Sequence, residues 1–211
     1  MDGTALLSAF VTLFVVVDPV GLAPLFVALT AGETAARRRA IAARACLTAL
    51  ALLTLFGLAG EAVLGFVGIS MPAFRIAGGV LLFMTALDML FARRTQRRQS
   101  NSDAVDPAED PSIFPLAIPL IAGPGAIASM ILLTGQGAGA EGHALHVAAV
   151  HGVMAAVIAL VYLMFLAAGL IERALGALGI LVVTRLLGML LAALSVQFVI
   201  DGLAGTGLFP V

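Results

Sequence analysis

Six stretches of this 211-residue chain, about 5–30, 41–60, 73–92, 113–134, 146–171 and 181–203, are each apolar over the length of a membrane crossing. A hydrocarbon core of about 30 Å takes roughly 20 apolar residues per helix, and six such runs leave little of the chain for anything else. Composition agrees: 62% of residues are hydrophobic, 11% are charged and mean hydropathy is +1.14, where a soluble domain carries about a quarter charged residues. A water-soluble enzyme is excluded, and the chain reads as an all-α integral membrane protein. The 11 basic residues nearly cancel the 12 acidic ones, so no strong field attracts nucleic acid. Cys46 is the only cysteine, which excludes a disulfide, a thiolate metal cluster and a two-cysteine relay.

The first stretch lacks a basic leading region, and Asp18-Pro19 interrupts it where a signal peptide would be most apolar, so it reads as a retained span. With six spans, Arg37, Arg38, Arg39, Arg44, Arg93, Arg94, Arg97, Arg98, Arg173 and Arg185 fall on one side and Arg75 alone on the other. The positive-inside rule then puts the Arg-rich loops in the cytoplasm of a bacterial inner membrane, with both termini outside. Folding segments one and four as re-entrant hairpins, since prolines break both, would move Arg173 and Arg185 outside and weaken that asymmetry. Residues 93–112 read as a polar cytoplasmic linker, basic first and acidic later, without chemistry of its own.

An internal repeat organises the rest. Glu61-x-x-Leu64-Gly65-x-x-Gly68-Ile69 recurs as Glu172-x-x-Leu175-Gly176-x-x-Gly179-Ile180, Arg75-x-x-Gly78 recurs as Arg185-x-x-Gly188, and Thr85 aligns with Ser195. Asp18-Pro19-Val20-Gly21 lies opposite Gly123-Pro124-Gly125-Ala126. The chain therefore reads as two three-helix units, 1–92 and 113–211, the second inverted because three is odd. Inverted repeats with broken helices are an architecture of secondary transporters, with substrate held between the copies near the midplane; a passive helical bundle would not need the breaks.

Proline inside a helix removes a hydrogen bond and clashes with the preceding turn. Pro19 and Pro124 each suit the first position of a new half-helix, with Asp18 and Gly123 as caps. Each half-helix would then begin in mid-membrane with free N–H groups and a partial positive charge, a seat for a carboxylate. Two such ends facing one another would form a small anion cradle from Asp18, Pro19, Gly21, Gly123, Pro124 and Gly125.

An acid in mid-span costs roughly 2.5–3.5 kcal/mol, and Asp18 has two readings: a cap satisfied by the amides after Pro19, or a ligand for a substrate ammonium, a proton or Na⁺. Asp88 reads as the interfacial partner of Arg93 and Arg94, and Asp201 as interfacial at the outer end. Glu61 with Arg75, and Glu172 with Arg185, read as salt bridges closing the equivalent turns, with a gate as the second option. Thr85, Ser195 and Gln197 are mid-span hydrogen-bonders suited to helix contacts or to substrate. His143, His146 and His151, with Glu141, read as loop and interface residues; no second acid or cysteine completes a metal set. Gly78, Gly79 and Gly188 suit close packing within the monomer or against a second copy, and the reading leans to a homo-oligomer. There is no phosphate loop and no nucleophile to name, so neither ATP-driven pumping nor catalysis is expected, and no cofactor beyond a coupling proton or Na⁺.

VVVDPVGLAPLFVALT (15–30), FRIAGGVLLFMTALDML (74–90), FPLAIPLIAGPGAIASMILLT (114–134) and TRLLGMLLAALSVQFVIDGL (184–203) resemble the MarC-type family of membrane proteins. The likeness covers nearly the whole chain and departs from the family pattern only in the linker. It implies a carrier of small neutral amino acids such as glycine and alanine, with the cradle for the carboxylate and Asp18 or backbone carbonyls for the ammonium.

Overall fold

The computed structural model describes residues 3–91, 110–136 and 142–207, and they are helical with short breaks. The breaks fall where local chemistry requires them. Helix α1 (Gly3–Val17) stops at Asp18, whose backbone takes the left-handed conformation (φ 58°, ψ 63°), and α2 (Pro19–Leu29) restarts with a proline that needs no donor there. Thr34 caps α3 (Ala35–Val67) by accepting from Arg37 N at 3.3 Å, and Gly68 ends it at φ 81°. Ser70 caps α4 (Met71–Leu90) by accepting from Ala73 N, also at 3.3 Å.

The second half begins differently. Ser112–Ile121, labelled α5, is wound with wide i→i−5 bonds, Leu116 N to Pro111 O at 3.2 Å and Ala122 N to Ala117 O at 2.8 Å, and leaves helical geometry at Phe114 and Ile118. Both residues precede a cis proline, Pro115 and Pro119. Helix α6 (Pro124–Thr134) follows after a bend of 57°. Then come α7 (His143–Leu166) and α8 (Ala168–Ala204), the latter kinked at Gly176 with φ 62° and ψ 175°, a conformation only glycine adopts readily.

Five helices are long and apolar enough to cross a membrane, counting α1 with α2 as one, and the bent pair α5–α6 makes the sixth crossing. Contacts at the two ends give the path. At one end Arg38 lies 5.6 Å over the Phe26 ring, Phe26 stacks on Phe165 at 4.4 Å, and Arg44 pairs with Asp110 at 2.6 Å. At the other, His146 Nε2 donates to Leu133 O at 2.8 Å, Met71 touches Gly135, and Ser8, Gln136 and Asp201 line one cleft. Both broken segments therefore run from end to end, in opposite directions. The re-entrant alternative is set aside, because it would return Ser8 to the end that holds Phe26.

Asp110 is the first described residue of the Arg93–Pro111 stretch, and it is not idle. Desolvation raises its pKa, but hydrogen bonds from Ser112 and the charges of Arg44 and Arg37 outweigh that and hold the carboxyl below its ordinary value. The expected pairing of Asp88 with Arg93 and Arg94 lies outside the described residues.

The broken segments form the centre. Two-thirds of the apolar window of α1–α2 is buried, against 22% for α3 and for α8. The two halves interleave: α3 packs on α7, α5 and α6, α2 packs on α7 and α8, and α4 runs along α8. Phe66, Leu145 and Leu178 are 94%, 73% and 74% exposed, an arrangement water would penalise and lipid accepts.

The α4–α8 contact explains three glycines. A Cβ on Gly79 would stand 2.8 Å from Ser195 O, one on Gly188 2.9 Å from Met89 Cβ, and one on Gly202 3.0 Å from both Ile76 N and Pro72 O. Gly78 faces Leu132 of α6. The small residues of the third spans are thus used inside the monomer.

Candidate functional site

At the first break, Asp18 is 1% exposed and its Oδ1 accepts from Gly21 N at 3.1 Å while its carbonyl accepts from Leu22 N at 3.1 Å. The carboxylate folds over Gly21 so closely that a Cβ there would collide with it. Asp18 is a cap in this structure, and the start of α2 already holds an anion. Pro19 and Val20 are buried with it.

The second break is built otherwise. Gly123 offers no side chain to cap α6, and its carbonyl accepts from Ile127 N at 3.0 Å. The amides of Gly125 and Ala126 begin the helix, where no preceding turn supplies a partner. Pro124 reaches the surface while Gly125 is buried. A symmetric cradle of two empty helix ends is therefore not what the chain forms: one end carries its own carboxylate, the other has no side-chain cap.

The two breaks approach through Gly125. A Cβ built on it would lie 3.2 Å from Val16 Cγ1, 3.4 Å from Leu82 Cδ2 and 3.7 Å from Thr85 Oγ1. The end of α1, the start of α6 and the middle of α4 thus meet at one place, with Asp18 two residues beyond Val16. Thr85 Oγ1 donates to Leu81 O at 3.0 Å, which leaves its lone pairs available as acceptors. One turn on from Gly125, Ser129 is fully buried and its hydroxyl has no hydrogen-bond partner. Sequence reasoning passed over Ser129, although its i+4 spacing from Gly125 places it on the same face.

Other expected site residues lie elsewhere. Ser195 is buried in the α4–α8 contact and donates to Ala192 O at 2.7 Å. Gln197 is at the end opposite Arg44, where its Nε2 donates to Asp201 Oδ1 at 2.7 Å in a cleft of about 260 Å³ with Ser8 and Thr12. The turn-closing salt bridges do not form: neither Glu61 and Arg75 nor Glu172 and Arg185 is joined by an ion pair. After the turn α4 packs along α8 and α6 instead of returning along α3, so Arg75 leaves Glu61, and its Nε is buried without a hydrogen-bond partner. In the second half the kink falls at Gly176, which aligns with Gly65 and not with the turn glycine Gly68, so the two bends are not superposable.

The family model described as MarC family integral membrane protein matches residues 3–206. The chain belongs to the MarC family. The membrane protein YvbG of Bacillus subtilis is 38% identical over 205 residues, covering 96% of this chain and 94% of its own. The inner membrane protein YhgN of Escherichia coli is 34% identical over 200 residues, covering 94% and 95%. A membrane protein of Methanocaldococcus jannaschii is 32% identical over 206 residues, covering 97% and 98%. No solved structure matches the chain. In this MarC-family protein all four stretches that carried the resemblance fall on spanning elements, and two of them hold the breaks.

Proposed function

We propose that this MarC-family protein is a secondary transporter of small neutral amino acids of the glycine and alanine class, embedded in the cytoplasmic membrane with its Arg-rich loops inside and both termini outside. The observation that carries the reading is the meeting of two broken helices at Gly125, beside Thr85 and close to Asp18. A zwitterion has two charged ends, and the asymmetry of the breaks supplies one group for each. The N-terminus of α6, without a side-chain cap, attracts the carboxylate, and the carboxylate of Asp18 attracts the ammonium. The residues around them, Val16, Gly125 and Leu82, favour a small substrate. Coupling to a proton or Na⁺ gradient is part of this reading.

The test is counterflow of labelled alanine into proteoliposomes preloaded with unlabelled alanine or glycine, comparing wild type with Asp18→Asn. Asparagine tolerates the left-handed backbone and its Oδ1 still accepts from Gly21 N, so the variant removes charge and keeps the cap. Wild-type accumulation that the variant loses supports the site; accumulation that the variant keeps reduces Asp18 to its capping role. If correctly folded wild type shows no counterflow, a carrier or pore for another small solute takes precedence.

A further inference from the structure

A second place in the molecule has the chemistry of an ion site. Between α3 and α7, at the end opposite Arg44, a cleft of about 530 Å³ is lined by Gly57 and Glu61 from α3, Thr134 from α6, and His143 and His151 from α7. His151 lies well inside α7, so its ring sits within a spanning segment, where an ionisable side chain is costly to place without a function.

The ring is held in one tautomer. Its Nδ1 is 2.8 Å from Val147 O, and a carbonyl only accepts, so Nδ1 carries the proton and Nε2 is left with a lone pair. That Nε2 is buried and has no hydrogen-bond partner. It also occupies space made for it: a Cβ on Gly57 would stand 2.9 Å from Nε2 and 3.1 Å from Cε1. The glycine is thus a notch for the imidazole.

The groups around the cleft narrow what this lone pair can take. Glu61, one turn beyond Gly57 and exposed, brings the only carboxylate to the cleft among the described residues, and His143 stands at its mouth with Nδ1 unpartnered. His146 is committed to Leu133 O and Thr134 donates to Met130 O at 2.8 Å; α1, α2 and α6, which also pack on α7, bring no charged residue, and Glu172, Arg173, Arg185 and Asp201 of α8 do not line the cleft. No three of His, Cys, Asp and Glu converge as a metal set among the described residues. The cation that fits is a proton, and imidazole is the side chain that ordinarily exchanges one near neutral pH.

We propose that His151 is the proton-binding residue of the transport cycle. A proton from outer water adds to the Nε2 lone pair, Glu61 stabilises the imidazolium from the cleft, and the same N–H bond breaks when the proton is returned to water. This rests on the transport reading and names its coupling ion.

Exchange and accumulation on the same proteoliposomes test it. At equal pH on both sides, exchange of labelled for unlabelled alanine requires no net proton movement. With a one-unit pH difference, one proton per substrate sustains about tenfold accumulation. Wild type is expected to do both, and H151Q to exchange while accumulating nothing above the external concentration. Undiminished gradient-driven accumulation in H151Q overturns the proposal. A second measurement needs no transport: nitrogen-15 histidine spectra of wild type in detergent, with H151Q assigning the signal, followed between about pH 8 and 5. A ring that gains a proton in that range, with a midpoint that moves in E61Q, supports the site; a ring neutral throughout overturns it. If wild type exchanges no amino acid, the amino-acid reading falls and the titration still decides the proton site.

Discussion

The carboxylate of Asp18 lies over Gly21, and that single contact determines what position 21 tolerates. A methyl group there collides with the carboxylate, so Gly21→Ala must displace the cap or open α2. Forcing an extra carbon into packed surroundings costs about 1–3 kcal/mol, and the same change moves the charge the proposed site uses. Gly21→Ala is expected to lower the unfolding midpoint in detergent and to abolish alanine counterflow, whereas Asp18→Asn keeps the midpoint near wild type. A Gly21→Ala protein with wild-type stability and transport would contradict the crowding. The pattern Asp-Pro in mid-span left Asp18 with two readings, a cap for the donors that follow Pro19 or a ligand, and the hydrogen bond from Gly21 N shows the first. His151 was read as an interface residue for an equally physical reason: its partner Gly57 is on another helix, and a missing side chain leaves no mark in a hydropathy pattern.

Among the elements, α4 and α8 depend on each other through backbone-to-backbone approach. Gly79→Ala would set a methyl 2.8 Å from Ser195 O and 3.1 Å from Val199 N, atoms that move only with the whole helix. Gly152 is the internal control, a glycine of α7 with nothing within 4 Å of a built Cβ. Gly79→Ala is expected to destabilise by about 1–3 kcal/mol, and Gly152→Ala to stabilise by about 0.4–1 kcal/mol through the lost freedom of the unfolded chain. Opposite shifts in thermal unfolding check the pair; equal shifts would mean that propensity, and not the helix contact, governs both sites. The starts of α2 and α6 at Pro19 and Pro124 were legible because proline is acceptable at a helix start and harmful inside. The winding of α5 was not: Pro115 and Pro119 announced a break, but not the wide i→i−5 bonds that α5 forms where it packs on α3. Nor was the absence of the Glu61–Arg75 bridge, since sequence neighbours across a turn meet only if their helices stay together.

For the whole molecule, the end-to-end path of both broken segments carries the topology. Ser8 belongs to the end with Gln136 and Asp201, and Arg38 to the end with Phe26 and Phe165. Ser8 is exposed and Arg38 half-buried, and Cys46, the only cysteine, is removed by Cys46→Ser. In that background Ser8→Cys is expected to react with a membrane-impermeant maleimide added outside intact cells, and Arg38→Cys only after the membrane is opened. The reverse pattern would invert the orientation and put the His151 cleft on the cytoplasmic side, so that a proton reaching it would come from within. Reaction of both from one side would contradict the crossing of α1 and α2, which no inversion could repair. Hydropathy marked the candidate crossings, because lipid thickness acts on each segment separately, and the arginine distribution gave an expectation of sidedness that the labelling tests. How the halves interleave depends on pairs of surfaces, and for this reason the labelling of two positions on one broken segment is the sharper test of the fold.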